Sequence, residues 1–211
     1  MHDISSKTIV TVTIAILVVI MIASNYLYSS EFQNPKIVFK EEPIHKNKEL
    51  QLKNGEQYQY TYVVNSTEVN ITYIVTKSTN CTNIRLKEVV EDSDICLDKW
   101  GVDQSGYNAT LLNPTVLMFR PWMLALDNNW KWNTSTYMML GNELNYLGST
   151  RYRVVRTEEY NGRESFVVEI STNVGMPEYQ WVDVEKRILL RTIGPTYEIL
   201  FVNGPIKLQN N

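Results

Sequence analysis

Thr150–Thr172 reads TRYRVVRTEEYNGRESFVVEIST. Tyr152 and Val154 alternate with arginines before Asn161-Gly162, and Phe166, Val168 and Ile170 recur at every second position after it. A period of two is the strand period, with successive side chains on opposite faces. Asn-Gly accepts positive φ at both turn positions, so the stretch predicts a β-hairpin.

The pattern continues on both sides of this hairpin. Glu178–Ile193, EYQWVDVEKRILLRTI, predicts two strands turning at Glu185-Lys186, and Gly194-Pro195 breaks the chain before TYEILFV (Thr196–Val202). Upstream, Asn54-Gly55 marks a turn. In EQYQYTYVV (Glu56–Val64), Tyr58, Tyr60 and Tyr62 share one face. In EVNITYIV (Glu68–Val75), Val69, Ile71, Tyr73 and Val75 share one face and leave Asn70 and Thr72 on the other. NIRLKEVV (Asn83–Val90) is a further strand. Turn spacing predicts seven to nine strands, in a mainly antiparallel β domain over residues 55–208. Its expected form is a strongly curved sheet or half-open barrel with one or two short helices.

Residues 1–54 read differently. Ile9–Tyr28 carries no charged side chain across 20 residues. As a helix it would run roughly 30 Å, about one hydrocarbon core, and in lipid the backbone must satisfy its own hydrogen bonds. Tyr26 and Tyr28 stand where an interfacial aromatic anchor sits. The run is longer than a signal-peptide core and no small-x-small cleavage site follows it, which favours an uncleaved anchor over residues 1–30. The bilayer is therefore the first expected partner. Residues 31–54 are polar, with Pro35 and Pro43, and read as a stalk holding one short strand at Lys36–Phe39.

The positive charges flanking Ile9–Tyr28 barely differ, so other cues set the orientation. Cys81 and Cys96 both follow the run. They read either as a disulfide or as two buried thiols. Asn65, Asn70, Asn80, Asn108 and Asn133 each open an N-x-[ST] glycosylation acceptor, all beyond the run. Together these place the N-terminus in the cytoplasm and the C-terminal domain outside it, on a single-pass membrane protein.

The middle of the chain breaks the alternation. PTVLMFRPWMLAL (Pro114–Leu126) has no period of two, and Pro121 suits the first turn of a short helix carrying Trp122, Met123 and Leu126 on one side. Trp122, Trp130 and Trp132 fall within eleven residues, next to Asn133-Thr-Ser. Core packing, the lining of an apolar groove, and membrane insertion are all open readings. A glycan on Asn133 counts against the last. The groove candidates are Trp100, Met118, Trp122, Met123, Trp130, Trp132, Tyr137, Met139, Tyr152 and Trp181.

Arg151–Val202, with its WVD…LLR segment at Trp181–Arg191 and YEILFV at Tyr197–Val202, resembles the lipoprotein carrier superfamily of LolA and LolB. That resemblance implies a half-open barrel whose concave face is capped by helices and holds acyl chains. The chain departs from the family in having no lipobox cysteine and room for only one or two short helices.

Composition narrows the function. A net charge of −3 without a basic stripe argues against nucleic acid. The histidines are His2 and His45, and no G-x-S-x-G, P-loop or G-x-G-x-x-G occurs, so no catalytic residue, cofactor or metal ligand is assigned. Glu88, Glu91, Asp92, Asp94 and Asp98 surround Cys96 without calcium-loop spacing and read as a solvated acidic loop. The expectation is a non-enzymatic envelope domain that binds a lipid or other apolar ligand. The alternative is a structural or accessory subunit of a membrane or envelope complex, with a protein partner.

Overall fold

In the computed structural model, residues 36–87, 95–104 and 118–208 are described. Eleven strands join one open sheet: β1 (Lys36–Glu41), β2 (Gln57–Val64), β3 (Thr67–Lys77), β4 (Thr82–Leu86), β5 (Ile95–Leu97), β6 (Lys131–Leu140), β7 (Glu143–Tyr160), β8 (Arg163–Thr172), β9 (Glu178–Asp183), β10 (Leu189–Ile193) and β11 (Tyr197–Asn203). Their hydrogen-bonded order is β1-β6-β7-β8-β9-β10-β11-β2-β3-β4-β5. From β7 through β5 each neighbouring pair is antiparallel. The only helix among the described residues is a 3-10 helix, Pro121–Ala125, with proline in its first turn.

The Asn161-Gly162 hairpin forms as its sequence predicts. Both turn residues have positive φ, 49° and 78°, and Tyr160 pairs with Arg163. Asn65 and Ser66, at φ 46° and 66°, make the equivalent two-residue turn between β2 and β3. Residues 55–208 hold ten of the strands, against the expected seven to nine, and β1 covers the short strand expected at Lys36–Phe39. The first strand of the β6–β7 hairpin was not expected, because it runs through the Trp132–Met139 segment that shows no clean apolar alternation; β7 contains the first strand of the expected Asn161-Gly162 hairpin. Val69 also departs from expectation: it is 50% exposed, because its end of β3 runs beyond the covered part of the face.

The chain divides into two units. Among the described residues the smaller holds 36–40 and Thr136–Leu147, where Lys40 lies over the Tyr137 ring and Tyr137 meets Tyr146 edge-on. The larger holds the described residues among 41–135 and 148–208 and contains the core. There Tyr58, Tyr60, Tyr73, Val75, Phe166, Val168 and Ile199 are buried on one sheet face. Phe166, Val167 and Val168 are all buried, since Trp181 and Arg191 cover the opposite face at this point. A strand buried on both faces loses its alternation.

The expected stalk is corrected by this core. Its described part is β1 and then an extended segment in which Leu50 and Leu52 are buried. Asn47 donates from its backbone to Leu124 O (3.1 Å) and from Nδ2 to Ala125 O and Leu126 O (3.3 Å each). These are the orphan carbonyls at the end of the 3-10 helix, which need partners when buried. Polar composition predicted a linker; the segment's polar groups instead serve as caps. Ile9–Tyr28 lies outside the described residues, and no helix among those described is long and apolar enough to cross a membrane.

Cys81 and Cys96 form a disulfide, Cα–Cα 5.5 Å, joining the start of β4 to β5. Asp183, fully buried, accepts two hydrogen bonds from Arg163 and two from the backbone N–H groups of Glu185 and Lys186, which holds the β9–β10 turn. Glu56 accepts from Lys186 Nζ (2.8 Å), Lys53 N (2.7 Å) and Tyr58 Oη (2.7 Å). Burial pushes the Glu56 carboxyl up, but these three donors together hold it below the ordinary carboxylate value. Glu158 and Glu169 are also held low, chiefly by Arg156 and Arg153 respectively.

Two outcomes follow. Replacing both cysteines by serine lowers unfolding free energy by about 3 kcal/mol in the chain-entropy picture for a loop of 15 residues, read from urea titration. A carboxyl depressed in the folded state stabilises above its unfolded value and stops doing so as pH falls through the folded value. The stability these carboxylates supply is therefore present above pH 4.5 and is lost below it, and Glu56→Gln makes the acid limb of the melting-temperature profile shallower.

Candidate functional site

Antiparallel register decides which side chains meet. Glu178 lies opposite Ile170, and Ile170 opposite Tyr152. One step along, Gln180 lies opposite Thr192, Thr192 opposite Ile199, and Ile199 opposite Tyr62. Directly opposed residues share a face, with Cβ atoms about 4.5–5.5 Å apart. These two rows form the floor of a cavity of about 660 Å³ that opens to solvent. Ile71, Thr150, Leu189 and Tyr197 complete the sheet side, and Arg120 and Trp122 form the other wall.

The chain over the floor is pinned by its backbone. A register shift between Leu189 and Arg191 in β10 coincides with a bond from Leu189 N to Met118 O, 2.8 Å. Tyr60 Oη donates to Leu189 O, also 2.8 Å, beneath it. Proline at the first helical turn then brings Trp122 down onto the sheet. Trp122 stacks on Trp130 (5.5 Å between centroids, 18°), Trp130 on Trp132 (6.4 Å, 28°), and both Trp122 and Trp132 meet Tyr152. Such ring pairs contribute about 0.5–1.5 kcal/mol each beyond area burial. Trp132 Nε1 donates to Glu42 O at 2.8 Å.

Most polar groups of the cavity lie on the sheet side, with Arg120 on the facing wall. Glu178 accepts from the Tyr197 hydroxyl and from Gln180 Nε2. Burial pushes the Arg120 guanidinium down, and the neighbouring Tyr152, Tyr73 and Glu178 oppose that shift. Burial raises the Tyr152 hydroxyl to about 12 even though Arg120 pulls the other way. Tyr197 is raised by burial and then by its bond to Glu178. Gln180 Oε1 and Thr192 Oγ1 are buried with no hydrogen-bond partner. The cavity thus carries one anion on its sheet side and one cation on the facing wall, among isoleucine, leucine and aromatic side chains. No group of three His, Cys, Asp or Glu residues able to hold a metal ion occurs among the described residues.

The ten groove candidates scatter. Trp122 and Tyr152 line the cavity. Trp130 and Trp132 line a second cleft, about 340 Å³, with Glu42, Pro43, His45 and Asn47. Met118 and Met123 are core. Trp181 projects from the opposite face of β9, donating to Glu158 Oε1 at 2.6 Å beneath Arg191. Trp100 is 37% exposed on a turn, beside Lys99. Tyr137 and Met139 belong to the smaller unit. The sequence reading did not include Arg120, Glu178, Gln180, Thr192 and Tyr197. Parity alone places Glu178 and Gln180 on the same face, but which face carries the cavity is not a local property. Of the acidic loop only Asp98 is described, and it accepts from the backbone of Trp100 and Val102. Asn65, Asn70, Asn80 and Asn133 are exposed; Asn108 lies outside the described residues.

Comparison with known protein families, with curated proteins and with solved structures returns no match to this chain.

Trp122→Ala removes the ring shared by the aromatic stack and the cavity wall. It lowers stability by about 3–5 kcal/mol, the range for buried tryptophan truncation, measured by urea unfolding.

Proposed function

We propose that this chain is a membrane-anchored, extracytoplasmic β domain that binds a lipid or other apolar ligand in the cell envelope and carries out no reaction of its own. The supporting observation is the cavity of about 660 Å³, floored by apolar and aromatic side chains with a few convergent polar groups. Small-molecule sites have this size and this mix. In this reading the open sheet curves as a half-open barrel around the ligand, as the resemblance to lipoprotein carriers implies. Ile9–Tyr28 is the anchor, the disulfide suits an oxidising compartment, and the exposed acceptor asparagines carry glycans.

A second reading, an accessory subunit with a protein partner, draws on Leu140, Leu144, Tyr146 and Leu147, all at least 44% exposed on the β6–β7 hairpin.

The first reading is tested by organic extraction of the full-length protein purified from membranes, followed by mass spectrometry. A lipid at about one per chain is expected, lost in Ile199→Trp, which fills the cavity floor. The reading fails if the wild type is empty, or if the same lipid is retained in equal amount by the filled variant.

A further inference from the structure

Resting on the anchored, extracytoplasmic reading, we infer that the β6–β7 hairpin is a second membrane contact, seated in the surface of the bilayer that holds the anchor. Glu143 is the only charged residue between Lys131 and Arg151. The hairpin turns at Gly141-Asn142, with Gly141 at φ 58°. Leu144 and Tyr146 share one face of β7 and Leu147 takes the other, because alternate residues of a strand face opposite ways. Leu144 is 44% exposed, Tyr146 54% and Leu147 53%. Leu140 and Ile37, at 45% and 46%, add to the exposed apolar surface.

A cluster of exposed apolar side chains marks a protein or a membrane contact. Exposure on both faces separates the two. A protein that docks on a sheet face covers that face and leaves the other wet. A bilayer surrounds an immersed hairpin from both sides.

The path of the chain points to the same occupant. Glu42 N–H donates to Asn133 O (3.3 Å), and Lys40 Nζ lies 4.8 Å from the centre of the Tyr137 ring. Moving back from Glu42 to Lys40 moves forward from Asn133 to Tyr137, so β1 runs antiparallel to its neighbour β6. Lys36, the first residue of β1, therefore lies towards the Gly141-Asn142 end of β6. Residues 29–35 separate it from Tyr28, the last residue of the uncharged run. A link of that length reaches at most about 25 Å when fully extended. A chain leaving the bilayer at Tyr28 thus enters the domain at the end where the hairpin turns.

The turn limits the depth. Asn142 and Glu143 are costly in hydrocarbon, which keeps the hairpin at interfacial depth, about 5–10 Å. Tyr137 and Tyr146, with ring centroids 5.6 Å apart, have the amphipathic form that sits at this level. The long side chains of Lys36 and Lys40 suit headgroup phosphates.

The test uses the full-length protein in phosphatidylcholine nanodiscs. Leu144→Cys, Leu147→Cys and Val202→Cys each carry the environment-sensitive fluorophore NBD, while the native cysteines stay protected in their disulfide. All three positions are well exposed, so labelling leaves the core intact, and Val202 on β11 is the aqueous control. Labels at 144 and 147 are expected to emit to the blue of the label at 202. They are also expected to be quenched by nitroxides on the lipid acyl chains and shielded from aqueous iodide. Iodide quenching at 144 and 147 equal to that at 202 overturns the inference. So does lipid quenching at only one of the two, since immersion reaches both faces. Shielding from iodide without lipid quenching sinks it as well, and shows that protein, a second copy or another segment of this chain, covers the hairpin. Washing native membranes with alkaline carbonate tests the anchor separately. Protein retained in the membrane with wet hairpin labels ends this inference alone; protein released ends the anchored reading and the inference together.

Discussion

The backbone bond from Leu189 N–H to Met118 O governs the larger unit. A broad face of tyrosine, isoleucine and valine needs cover, and the chain offers one five-residue 3-10 helix and its flanks to provide it. Where that segment is pinned, the face is dry: Met118, Trp122, Met123, Leu124 and Leu126 are essentially fully buried. Where it does not reach, the same face forms the floor of the cavity. The bond exists because a shift in the β9–β10 register leaves Leu189 N–H available, and a buried N–H must find an acceptor.

The same segment answers for the three clustered tryptophans. They stack on one another and against Tyr152, so most of their area is spent on the core, and only Trp122 and Tyr152 are shared with the cavity. Residues 42–50 finish the cover by serving carbonyls at the 3-10 helix end through Asn47 and by donating Leu50 to the core. The cavity is consequently framed by residues distant in the chain, Tyr62 and Ile71 on one side and Thr150 to Ile199 on the other. The polar residues of its sheet side are concentrated on β9 and β10, next to the turn that buried Asp183 holds in place.

Much of the β architecture was legible because it rests on local rules. Asn161-Gly162 dictates a tight turn through backbone φ, and the alternation on either side dictates strands. Pro121 dictated where a short helix begins. The short 81–96 loop made a disulfide chemically reasonable, and the structure forms it. Other features were hidden for stated reasons. β6 was obscured because its inward residues include Thr134, a polar side chain buried at 2% exposure, so composition lost the strand period. Residues 41–54 looked like linker because their charges are real, while their two leucines serve a core assembled elsewhere.

Sequence by itself determined the strand class, the principal turns, the partner faces within each strand and the uncharged run at Ile9–Tyr28, since each depends on neighbours a few residues apart. Only the tertiary structure decided that Gln180 faces Thr192, that Arg120 stands across from them, and that Trp181, one residue from Gln180, points the other way from the cavity. Those facts depend on cross-strand register and on where one irregular segment is tethered. A register offset of a single residue exchanges every inward side chain for an outward one, so a site built across strands is decided when the strands pair.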